Sequence, residues 1–110
     1  MHFAAWGVSG ANNVTVRGAE TSWVTNEWYH VGVSFDGSEY QFYLNGVEDG
    51  SATADSDQPY NILTGPKSTI GNSMSASHDF HGTIDELTIY DQELTASQVL
   101  HIYNSQKGFD

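Results

Sequence analysis

The sequence predicts an all-β, antiparallel protein finished by one short helix, and three observations carry that prediction. Two runs of alternating apolar residues, 28–35 and 40–44, flank a polar break at Asp36-Gly37-Ser38. Eleven glycines punctuate short apolar runs, which favours many turns over a helical bundle. The spacing of apolar residues switches from two to the helical period only after Leu94.

The central pair of runs organises the rest. In the first, Tyr29, Val31, Val33 and Phe35 fall on one face; in the second, Tyr40, Phe42 and Leu44 do, opposed by Gln41, Tyr43 and Asn45. Asp-Gly lets the backbone reach positive φ and closes a hairpin of the right twist. Asn45-Gly46 supplies a second turn of the same kind, leading into a further strand over 47–54.

Upstream, 2–8 and 12–17 read as a first strand pair around Ser9-Gly10-Ala11, and 18–27 as a loop holding a short strand. Downstream, 55–68 carries both prolines and reads as irregular, 68–72 as a short strand, and 73–79 as a polar loop. Residues 80–90, FHGTIDELTIY, read as a long strand central to a sheet, with Asp85 sharing a face with Leu87 and Ile89. In the tail, Thr95 is a good N-cap with Gln98 three residues on, Leu94 and Val99 sit at the staple positions, and Gly108 can end the helix.

With 110 residues the chain suffices for one domain. Apolar residues make up only 38%, but three Trp, six Tyr and five Phe bury much area each. Fourteen acidic residues against three basic ones give a formal charge of −11, which argues against nucleic acid or an anionic membrane as partner. No cysteine is present, so disulfide and thiolate chemistry are excluded. No apolar run approaches the roughly 20 residues that span a bilayer. The N-terminus, MHFAAWGVSGA, lacks the basic region and apolar core of a signal peptide.

Taken in order, WYHVGVSFDG at 28–37, FYLNG at 42–46, TIGN at 69–72, FHGTIDELTIY at 80–90 and LTASQVLHIY at 94–103 resemble the laminin G-like branch of the concanavalin A-like lectin-glucanase domains. The resemblance implies a jelly-roll β-sandwich with one short C-terminal helix, forming a single laminin G-like domain over 1–110. Members carry further strands ahead of the first hairpin, so this chain matches the pattern from part-way in. Sheets short of strands leave unpaired edges, and a homodimer or higher oligomer that completes them is the expected state. The resemblance also implies a setting outside the cell or at its surface if the chain belongs to a larger protein.

Asp85 is the first candidate for chemistry. A carboxylate facing an apolar layer needs a cation or several hydrogen bonds to offset desolvation. In related domains the acidic residue of this strand ligates a structural calcium, whose oxygen-rich shell suits carboxylates and carbonyls; acceptance of backbone N–H groups is the alternative. His78-x-x-His81 has no evident third ligand and reads as a pair of surface histidines, and His30 as packing. For catalysis, Asp85 and Glu86 point to opposite faces while Asp91 and Glu93 follow the strand, so the paired carboxylates of a glycosidase are lacking and no enzyme is expected. Trp23, Tyr43 and Tyr60 are candidates for stacking on a sugar ring. The expected function is therefore non-catalytic, lectin-like recognition of a glycan or protein. The alternative is a structural adhesion or assembly module, of a cell surface or a viral tail, acting through its sheet edges. A degenerate glycosidase fragment is a third and weaker reading.

Overall fold

The structure, a computed structural model, describes residues 2–6, 13–19, 22–53, 69–71 and 79–107; for 2–6, 13–17 and 52–53 it describes the backbone alone. The chain divides into two compact units, Met1–Tyr60 with Gln92–Asp110, and Asn61–Asp91.

In the larger unit, β1 (His2–Trp6) and β2 (Asn13–Arg17) form an antiparallel pair in which His2 lies opposite Arg17 and Trp6 opposite Asn13. A second sheet is the expected meander of β3 (Val31–Phe35), β4 (Glu39–Leu44) and β5 (Val47–Thr53), with β4 in the middle. Its register sets Val31 against Leu44, Val33 against Phe42 and Phe35 against Tyr40, so the apolar residues of both runs share one face. The Phe35 and Tyr40 rings stack with centroids 4.4 Å apart. Tyr40 and Phe42 are each 4% exposed, and burying a side chain of that size contributes about 1.5–3 kcal/mol. Strand β2 lies against β5 and β4 without sharing their ladder.

One irregularity ties these strands together. Tyr43 pairs with Glu48 but Phe42 pairs with Gly50, so Asp49 is an extra residue in β5. Such a bulge leaves the added residue out of the ladder and bends the strand. The Asp49 carbonyl accepts a hydrogen bond from the Ala19 N–H at 2.7 Å, just beyond the end of β2.

Helix α1 (Ala96–Gln106) starts where the capping pattern places it. The Thr95 hydroxyl accepts from the Gln98 N–H at 3.3 Å, and the Gln98 side chain accepts from the Thr95 N–H at 2.9 Å, a complete capping box. Val99 is buried and Leu94 half-buried, as the staple requires. The C-cap is Lys107, and Gly108 lies outside the described residues.

Three expected strands differ from the structure. Residues 22–30 form a loop turning at Thr25-Asn26, with no strand. In the smaller unit, 80–90 is assigned to no strand and bends at Gly82, and Ile70-Gly71 is a bend, so neither forms the expected strand. Glu86 sits at φ 53°, and this left-handed step breaks the alternation on which a strand face depends. Within this segment the Phe80 N–H donates to the Gly71 carbonyl at 2.6 Å, and the Phe80 ring lies over Gly82.

Candidate functional site

Three sequence patterns meet at one joint in the larger unit. The backbone N–H of His30 donates to the Asn45 side-chain oxygen at 3.0 Å, and the His30 carbonyl accepts from the Asn45 N–H at 2.8 Å. Asn45 and Gly46, at φ 50° and 80°, supply the two positive angles of a mirror-image turn. Gly46 is buried where α1 crosses, and a Cβ placed on it would meet Leu100 Cδ1 at 2.9 Å and Tyr103 Cδ1 at 3.0 Å. The Tyr103 ring in turn lies 5.9 Å from the His30 ring, with the Lys107 ammonium 5.6 Å from its centroid. His30 Nδ1 is buried there without a hydrogen-bond partner, and burial holds the imidazole pKa below its ordinary value. Packing is the role this geometry gives His30.

The loop that leads into this joint carries exposed aromatic surface. Asn26, at φ 66°, turns the chain so that the Tyr29 hydroxyl reaches back to accept from the Val24 N–H at 3.0 Å. That hydroxyl donates to Glu27 Oε2 at 3.4 Å. The Trp23 ring stands edge-to-face on Tyr29 with centroids 4.8 Å apart, a geometry favoured by the ring quadrupoles. Trp23 is nonetheless 40% exposed and Trp28 is 52% exposed.

The residues singled out from sequence fare differently. Trp23 is exposed as expected. Tyr43 was expected to point away from the core; it is 5% exposed, which removes it as a stacking surface. It sits on the middle strand of the sheet, opposite Gly32. Tyr60 lies outside the described residues. Asp85 was expected to face an apolar layer, yet it is exposed, as are Leu87 at 61% and Ile89 at 68%. Its carboxylate accepts the Glu86 N–H at 2.8 Å, the hydrogen-bonded alternative weighed above. Among the described residues no three His, Asp or Glu side chains gather as a metal shell would require. Glu86, Asp91 and Glu93 are all exposed.

Trp28 and Tyr29 did not stand out as site residues, because both were absorbed into the strand pattern. The signal was present in the sequence: three large aromatic rings within seven positions, around the polar pair Thr25-Asn26.

An antiparallel meander, a separate antiparallel strand pair and a capped C-terminal helix define an antiparallel β-sheet domain closed by one short helix. The chain belongs to the laminin G-like family of the concanavalin A-like lectin/glucanases superfamily, whose profile matches residues 2–100. Domains of this kind are typically non-catalytic binding modules. No curated protein matches the chain. It is similar in fold to a crystal structure of an S-layer domain-containing protein from Clostridium thermocellum, with a TM-score of 0.63 and 24% identity. That match covers 83% of this chain and 44% of the other, so the chain spans less than half of that structure. Among the described residues no helix is long and apolar enough to cross a membrane.

Proposed function

We propose that the chain is a non-catalytic recognition module of a cell surface, lectin-like in binding a glycan or a protein through the loop at 22–29. The observation that carries this reading is the pair of exposed tryptophans, Trp23 and Trp28, on a loop braced by the Tyr29 hydroxyl. Family membership supports binding over catalysis, and the S-layer relative supports a surface setting. In this reading the two sheets are parts of a full jelly-roll sandwich. A glycan array probed with the purified chain tests it: binding abolished by Trp23→Ala is the expected result, and binding indifferent to that change would sink it.

A second reading has its own support. Among the described residues strand β3 pairs only with β4, and Val31 and Val33 are 42% and 40% exposed on the face that buries Tyr40 and Phe42. Such an edge suits strand addition from another copy, making the chain an assembly module. Light scattering separates the two: a folded monomer at high concentration removes the dimer. Calcium at Asp85 is carried by the resemblance alone, since one carboxylate supplies little of a shell of six to eight oxygens. A melting temperature raised by calcium in the wild type but not in Asp85→Asn is the result that proposal requires.

A further inference from the structure

We infer that two copies of the chain pair β3 to β3 in antiparallel orientation, with the two-fold axis at Val33; this rests on the assembly reading and fixes the edge and the register it uses.

The hydrogen bonds of the meander decide which groups of β3 are left for a neighbour. The His30 carbonyl accepts from the Asn45 N–H and the Asp36 N–H donates to the Glu39 carbonyl, so hydrogen-bonded pairs with β4 bracket β3. Such pairs alternate along an antiparallel ladder, and the register from Val31 to Phe35 is unbroken. Gly32 and Ser34 therefore bond to β4, while Val31, Val33 and Phe35 turn their N–H and C=O groups to the other side. Among the described residues no strand pairs there. Three alternate residues centred on Val33 match themselves after half a turn. Val33 meets the partner's Val33, Val31 meets the partner's Phe35, and each pair exchanges both bonds.

Charge favours a second copy as the occupant. At a net charge of −11 two copies repel over most of their surface. Strand β3 carries no acidic or basic residue, no proline and no bulge, the devices that keep an edge from pairing. The ionisable residues flanking it are His30 and Asp36, and the register sets each opposite the other rather than opposite its like. The far edge of the meander has what β3 lacks: β5 carries Glu48 and Asp49, a bulge, and the bond from Ala19. Pairing at Val33 also covers apolar surface. Val31 and Val33 are exposed on the face that buries Tyr40 and Phe42, and the opposed side chains of the copy come to lie beside them.

The chain has no cysteine, so single cysteines report the register under mild oxidation. Val33→Cys is expected to cross-link to its copy, since residues of a hydrogen-bonded pair lie about 5.5 Å apart at Cα, within disulfide reach. Val31→Cys is expected to stay reduced, because its copy lies about 13 Å further along the strand. Light scattering on the wild type is expected to read a dimer, which Val33→Lys weakens about tenfold or more by setting two ammonium groups face to face at the axis. Circular dichroism checks that the lysine variant folds; should it not, the two cysteine variants decide alone. A dimer that survives Val33→Lys, or in which Val33→Cys cross-links no faster than Val31→Cys, overturns the inference and leaves the assembly reading to another edge. A folded wild-type monomer at high concentration overturns both.

Discussion

The two turns of the meander look alike in sequence and behave as opposites in the fold. Asp36-Gly37-Ser38 is a turn facing water. The Asp36 carboxylate accepts the Ser38 N–H at 2.7 Å, the Ser38 hydroxyl at 3.0 Å and the Glu39 N–H at 2.7 Å, and a Cβ on Gly37 would meet nothing within 4 Å. Asn45-Gly46 is a turn facing protein, with Asn45 spent on His30 and Gly46 pressed against Leu100 and Tyr103. The first turn needs glycine for its backbone angle only; the second needs it for the angle and for the space. A turn of the same local chemistry thus becomes a docking point when a helix crosses it.

That contrast is broken most directly by alanine at each glycine. Gly46→Ala should cost about 3 kcal/mol in chemical denaturation, combining overpacking against α1 with a strained φ. Gly37→Ala should cost about 1–2 kcal/mol, from the φ of 101° alone. Equal losses at the two sites would show that α1 does not press on the second turn. A smaller change sharpens the same point from the helix side: Thr95→Ala removes half of the capping box and should lower stability by about 1 kcal/mol. That loss should shrink in the Gly46→Ala background if the helix is already loosened there, which a double-mutant cycle reads out.

The smallest expected effect is a dependence on pH. His30 beside the second turn has its pKa lowered by burial, so the unfolded chain binds its proton more readily than the folded one. Stability is then full above the ordinary histidine value near 6.5, falls as pH drops below it, and levels off beneath the folded-state pKa. His30→Phe should flatten that decline in melting temperature. Asp36 at the first turn has the opposite linkage. The N–H groups of Glu39 and Ser38 hold its pKa below 3.8, so its contribution is present at neutral pH and is lost only as the carboxylate protonates in stronger acid. An acid titration of wild type, His30→Phe and Asp36→Ala should therefore show two separable regions of loss.

How legible all this was depended on where the physics was local. Alternation in 31–35 and 40–44, the two Gly turns and the Thr95–Gln98 cap are short-range patterns, and each element appears where its pattern puts it. The family was legible from the same motifs in order, and the profile match over 2–100 agrees. What misled was the assumption that a period of two has one wet face. Tyr43 sits on a strand flanked on both sides, and it is buried on the face that the alternation assigned to solvent. The run at 80–90 misled for another reason: its residues alternate in sequence, but the Glu86 angle interrupts the alternation and no ladder forms there. At the candidate site, the exposure of Trp23 was legible because it stood in polar surroundings, whereas that of Trp28 was hidden by its fit to a strand.

The extra residue at position 49 reaches further than one misaligned pair. By turning its carbonyl toward Ala19, it lets a single strand serve two neighbours, β4 along its ladder and the chain leaving β2 at one point. Deleting Asp49 would leave residues 50–53 opposite the same β4 partners while removing the bend between Glu48 and Gly50. A one-residue insertion of this kind is how a flat ribbon acquires a corner, and the corner here is where the first hairpin is stitched to the rest.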